Sequence, residues 1–307
     1  MIHSGGKVMS RLTRETGVIY NFSKEHSPVK TVSPGTTLTI ETYDCFTDHI
    51  QTEDNVMEQL DWDKVNPATG PIFIEGAKPG DILKVKIEKI EVGEQGVMAV
   101  VPGLGLMGDM IDKIQAKIMP IKNDKVVFNG VEAPINKMIG VIGVAPEGDP
   151  ISCGTPGDHG GNMDNKMVEE GATLYFPVAV EGALFALGDL HAAMGDGEIS
   201  GSGVEIAGEV TVTLDVIKGE KVKQPMLEND QVFSQIASAE TLDEATNQAV
   251  SLMVDRIVAK TGLPMSDVTM LMSMVGQTEI CQVVNPLKTA RFIVPKWYLK
   301  DLQITLI

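Results

Sequence analysis

The stretch Gly188 to Glu205, GDLHAAMGDGEISGSGVE, gathers one histidine, two aspartates and two glutamates among five glycines. Imidazole and carboxylate groups are donors for divalent cations, and a carboxylate beside a cation-activated water can take up and return a proton. In an extended chain Asp189 and His191 lie two residues apart, so they project from one face and can offer two donors to one ion. The glycine-rich turn from Met194 to Glu198 is expected to fold the chain back as a hairpin. That would bring Glu198 and Glu205 towards the pair, so that five groups, Asp196 included, converge. The ordinary alternative is a plain Asp196-Gly197 turn and a histidine that is merely hydrogen-bonded. Two further polar clusters have the same setting. CGTPGDHGGNMDNK, starting at Cys153, places His159, Asn162 and Asp164 in a glycine-rich loop, and DCFTDH, Asp44 to His49, follows an expected strand. Loops carried on a rigid sheet are the usual bearers of function.

Other chemistries fit less well. No GxSxG elbow is present, and neither Ser152-Cys153 nor the serines at 200 and 202 belong to a recognisable triad motif. Gly103, Gly105 and Gly108 match GxGxxG by letters, but nothing around them forms the strand, turn and helix with a distant acid that dinucleotide binding needs. Cys45, Cys153 and Cys281 lie far apart without a CxxC pair, which argues against a disulfide framework or a thiolate zinc site and for the cytoplasm. A net charge of -17 over 307 residues repels a phosphate backbone, and no basic stripe offsets it, so nucleic acid is excluded as a partner. The N-terminal MIHSGGKVMSRLTRE has no apolar core of leader length and no apolar run reaches a membrane span. A soluble, cytoplasmic protein with no membrane partner is expected.

The elements that would position these groups are mainly β, with an α+β C-terminal part. Residues 1–230 form a β-rich region expected to carry most of the site, and 231–307 an α+β region packed on it. The clearest strands are Thr37 to Thr42, Asp81 to Ile90 and Glu209 to Val216. In the second, Ile82, Lys84, Lys86 and Glu88 share one face, and Leu83, Val85, Ile87 and Lys89 the other. A helix is expected from Thr241, whose spacing to Glu244 is that of a capping box, to Gly262 and Pro264. Ser266 to Met274 reads as a second helix, with Met270, Met272 and Met274 as core filling, and Glu279 to Asn285 as strand-like.

GDLHAAMGDGEISGSGVEI, HGGNMDNK and the C-terminal QVVNP together closely resemble the acetamidase/formamidase family. The likeness runs from the strand entering Asp44, through Pro79-Gly80-Asp81, to Ile293-Val-Pro-Lys296, nearly the whole chain. It implies a β-sandwich-like core with a smaller α+β region, and hydrolysis of the C–N bond of short linear amides to carboxylate and ammonia. It also implies a divalent metal, zinc foremost, with calcium open at a second site, and a homodimer or larger homo-oligomer. On this sequence Asp44, Asp189 and His191 become the leading metal ligands and His159 a further one. Glu198 becomes the preferred proton shuttle with Glu205 in reserve, and Asn162 and Asp196 the substrate contacts. Cys45 and Cys281 receive no catalytic weight. Two alternatives stay open. A cupin-like oxygenase or isomerase would show an HxH pair followed by glutamate, where this chain has Asp189-x-His191. A non-catalytic calcium-binding or small-ligand β protein would favour oxygen donors without His191. Crowding by Ala192, Ala193 and Met194 beside His191 favours a small neutral amide over a peptide.

Overall fold

A computed structural model describes residues 10–54 and 60–307. The three expected strands lie side by side: Gly208–Ile217 pairs antiparallel with Thr36–Thr42 on one side and with Ile82–Val92 on the other. Alternation sends Leu38, Ile40, Leu83, Val85, Ile87, Val210, Val212 and Leu214 into the interior. One face assignment is corrected. The register shifts between Thr211 and Val212, with Lys89 opposite Thr211 and Ile87 opposite Val212, so Glu88 is an extra residue in a bulge. Beyond a bulge the two faces exchange, which turns Ile90 inward and leaves Lys89 exposed.

Among the described residues these strands belong to a nine-stranded sheet that also takes in Thr173–Pro177, Met226–Glu228, Val232–Ala239, Lys288–Pro295 and Gln277–Gln282. The strands of 231–307 thus continue the same hydrogen-bonded sheet. Helix Leu242–Thr261 starts at Thr241 with the capping box to Glu244 and stops at Gly262, which is left-handed. It packs Met253 and Ile257 with Met272 of helix Met265–Val275 onto Phe233, Phe292 and Tyr175 of the sheet. The expectation for the methionines is corrected in part: Met272 is core, but Met270 and Met274 are 64% and 72% exposed. Residues two apart on a helix face nearly opposite ways, so all three could not serve one core. The strand after this helix runs Gln277–Gln282, which leaves Asn285 in a loop.

Among the described residues an eleven-stranded sheet packs against the first. Leu38, Val85 and Val210 from one sheet share a core with Ile72, Ile139, Leu187 and Leu190 from the other, a sandwich-like arrangement. Strand Phe185–His191 of this second sheet is buried along its whole length. It pairs with Met138–Gly143, Ala68–Ile74 and Glu205–Ile206, and this strand carries Asp189 and His191. The three cysteines are free and buried. Among the described residues no helix is long and apolar enough to cross a membrane.

Candidate active site

Strand register builds the centre of the site. His191 stands directly opposite Glu205 in the antiparallel pair, the position at which cross-strand side chains touch. Glu205 Oε1 accepts the Gly203 N–H at 2.8 Å, and Oε2 lies 3.1 Å from His191 Nε2. The turn from Met194 does return the chain as a hairpin, closed by Ala192 N–H to Val204 O at 2.8 Å. Asp189 also converges on His191, with Oδ1 3.4 Å from Nε2. It does so from a left-handed backbone, φ 55°, and not from the regular pleat. Gly140 on the neighbouring strand makes this possible, because a Cβ there would lie 2.5 Å from both Asp189 Oδ2 and Asp164 Oδ1. Gly203 does the same for the imidazole, since its Cβ would stand 2.5 Å from His191 Nδ1. Asp164 arrives from the loop after strand Gly160–Asn162, its Oδ1 3.9 Å from His191 Nε2. Asp196 does not join. Both its carboxylate oxygens are held by Arg291, at 3.0 and 2.8 Å, and Lys166 stands 2.9 Å away.

The electrostatics are lopsided. Asp44, Asp164, Asp189, Glu198 and Glu205 are all buried, and His191, 0% exposed, is the base among them. Asp189 Oδ1, Glu198 Oε2, Glu205 Oε2 and both ring nitrogens of His191 lack hydrogen-bond partners, although buried polar atoms are ordinarily paired. Burial, with the charge of Asp164, pushes Glu198 well above the usual carboxylate range. Burial raises Glu205 to about 8, with Asp189 adding to it, and burial and Asp189 raise Asp164 to about 6. Burial opposes charge on both Asp189 and His191, but each offsets it for the other. Asp189 is held below its ordinary value by His191, and His191 well above its own by Glu205 and Asp189. Among the described residues two donor sets result, Cys45 with Asp189 and Glu205, and Asp164 with His191 and Glu198, the donor atoms of each lying within 4.8 Å of one another.

Glu198, Asp189 and Glu205 line a cavity of about 200 Å³. Asn162 lines it too. With its amide turned to suit its neighbours, its nitrogen donates to Asp189 Oδ2 and Asp164 Oδ2, both at 3.1 Å, and its oxygen accepts from Asn66. Asn285 Nδ2 donates to Asp164 Oδ2 at 2.7 Å. Phe46, Trp62, Val65, Val284 and Pro286 supply an apolar wall. Asp44 sits beside this group, where burial and the charges of Asp48 and Asp189 raise it to about 7, while its Oδ1 accepts the N–H groups of Phe46 and Asp48. His159 lines a separate cavity with Val144, Pro146 and Ile151, and among the described residues no carboxylate is hydrogen-bonded to its ring. The sequence marks Asp164 only as a member of the second polar cluster, without a role, and gives Asn66, Asn285 and Cys45 no place in the site. Asp164 and Asn285 lie inside HGGNMDNK and QVVNP, so the signal was present; Asn66 stands in no motif.

The profile of the Acetamidase/Formamidase family matches residues 10–152 and 150–286. The chain belongs to that family. A solved protein described as a recombinant predicted acetamidase/formamidase from the thermophile Thermoanaerobacter tengcongensis is 50% identical, with a TM-score of 0.95 over 97% of this chain and 99% of that one. An acetamidase from Bacillus halodurans is 47% identical, with a TM-score of 0.94 over 96% of this chain and 100% of that one. The formamidase of Methylophilus methylotrophus is 27% identical over 270 residues, and the match spans 66% of this chain and 65% of that relative. The acetamidase/formamidase profile therefore covers every segment that builds the cluster around His191 and ends just before strand Lys288–Pro295.

Proposed function

We propose that this protein hydrolyses the C–N bond of short linear amides, of the formamide and acetamide type, to a carboxylate and ammonia. The observation that carries this reading is the ring of unpartnered donors around His191 at the end of the small cavity. A tetrahedral cation with ligands at about 2.0–2.1 Å separates its donor atoms by about 3.3 Å. The 3.1 and 3.4 Å spacings from His191 Nε2 to Glu205 and Asp189 match that separation and are not aligned as hydrogen bonds. Asp189, His191 and Glu205 are thus the residues that would hold a divalent metal, with the Cys45 thiol alongside, and the nitrogen donor favours zinc over calcium. Such an ion supplies polarisation of the amide carbonyl and acidification of water. Glu205, reserved above as a proton carrier, becomes a ligand because it stands across the strand pair from His191.

The chain's own groups do the rest. Glu198 faces the cavity with a free oxygen, so in its ionised form it can accept the proton of the attacking water and deliver it to the departing nitrogen. Asn162 holds Asp189 and Asp164 in place by its amide N–H groups. The wall of Phe46, Trp62, Val65, Val284 and Pro286 receives the acyl substituent and excludes bulk water. A volume of about 200 Å³ is well below the roughly 300–1,000 Å³ of pockets for drug-sized ligands, which suits a short amide and not a peptide. The decisive experiment strips the protein with a chelator, restores zinc, and follows ammonia release from formamide, acetamide, propionamide and a dipeptide amide. Zinc-dependent release that falls from the short amides to the dipeptide amide is expected. No release with any divalent metal, or equal efficiency on the dipeptide amide, overturns the reading.

A further inference from the structure

Arg291 lies on strand Lys288–Pro295 of the α+β region and is 1% exposed. All its N–H groups are used. Nη1 donates to Asn165 Oδ1 at 3.0 Å and to Asp196 Oδ1 at 3.0 Å, Nη2 donates to Asp196 Oδ2 at 2.8 Å and to Glu279, and Nε donates to Glu279 Oε2 at 2.8 Å. Asn165 directly follows Asp164, and Asp196 precedes Glu198 by two residues. One guanidinium therefore ties together the two segments that deliver Asp164 and Glu198 to His191. The same loop is pinned a second time, by Gly197 N–H to Cys281 O at 2.9 Å and Val283 N–H to Gly197 O at 3.2 Å. Both delivered residues have left-handed backbones, φ 41° at Asp164 and 48° at Glu198, which a free loop seldom adopts away from glycine.

The geometry points to Arg291, acting through Asp196, as the positioning residue that fixes Glu198 against Asp164 and His191. This rests on the amide-hydrolysis reading above, and it makes the α+β region a working part of the site. A bidentate guanidinium–carboxylate fork fixes angle as well as distance, which a lysine cannot reproduce. Lys166 also meets Asp196, but its side chain is 40% exposed and offers only a point charge.

Asp196→Asn is the variant to make, because Asp196 has a partly exposed side chain and the buried Arg291 remains paired with Glu279 and Asn165. It should lower kcat by about 10- to 100-fold with KM unchanged, the scale of a 1 Å misplacement of a reacting group. Melting temperature and bound zinc should stay near parental, and Lys166→Ala should be parental in rate. Placed in a Glu198→Gln background, Asp196→Asn should have no further effect on kcat. Parental kcat in Asp196→Asn, or an independent further loss in the Glu198→Gln background, overturns the proposal. A crystal structure of Asp196→Asn decides the same point without any assay: Glu198 displaced from Asp164 supports positioning, and Glu198 in place overturns it. A parental protein that releases no ammonia would count against the hydrolysis reading, while this structural comparison would still test the role of Arg291.

Discussion

His191 and His159 are both buried histidines in glycine-rich segments of the second sheet, and they have opposite surroundings. His191 faces Glu205 across a strand pair with Asp189 and Asp164 close by, and their charge keeps its pKa well above the ordinary value. His159 packs edge-on against Phe22, 5.1 Å between ring centres, with neither ring nitrogen hydrogen-bonded, and burial alone lowers its pKa to about 4. Glu147 and Asp158 border its cavity without reaching the ring. The difference shows that residue type and local glycine content do not make a ligand. What matters is whether strand register puts acids within reach of the ring.

Removing each histidine in turn should separate their roles most strongly. His191→Ala should lower kcat/KM by about 10³-fold or more, the several kcal/mol that a metal supplies, and should lose bound zinc by elemental analysis. His159→Phe should keep both. Glu198→Gln comes next, with kcat down by about 10²–10⁴-fold and zinc retained, measured by ammonia release. A wild-type rate in that variant would move the proton shuttle elsewhere.

Stability against pH should also separate the two regions. In chelator-treated protein the carboxylates with raised pKa values, Glu205 at about 8 and Asp44 at about 7, contribute stability below their unfolded values that is lost as pH rises through the folded ones. The melting temperature of metal-free protein should therefore fall from pH 5 to 8.5, and zinc should offset the part that comes from Glu205, because metal competes with the proton for that donor. His159 has the opposite sign. Its folded pKa lies below the unfolded value of 6.5, so its contribution is present above pH 6.5 and is lost as pH falls through about 4. Denaturant melts of His159→Phe should be less acid-sensitive over that range, by up to about 3 kcal/mol. An unchanged slope would mean that the ring is solvated or paired in the native protein.

Much of this protein could be read locally. Strands at Thr36–Thr42, Ile82–Val92 and Gly208–Ile217, the capped helix at Leu242–Thr261 and the hairpin after His191 follow from period two, a capping box and turn glycines. Each depends on residues close in the chain. The misreadings arose where a local rule was interrupted. A bulge at Glu88 exchanged the faces of a strand, and alternate spacing in a helix sent Met270 and Met274 outward.

The inventory of the site, one imidazole and several carboxylates in glycine-rich segments, is legible in the sequence, because donor chemistry and tight turns are properties of residues and their neighbours. Which of them meet is set by how the strands pair and pack. Asp164 joins His191 while Asp196 turns away to Arg291, and Asn285 reaches Asp164 across 121 residues of chain. Those outcomes depend on the register of paired strands and on the space left by Gly140, since a shift of one residue would carry each side chain to the opposite face of its sheet.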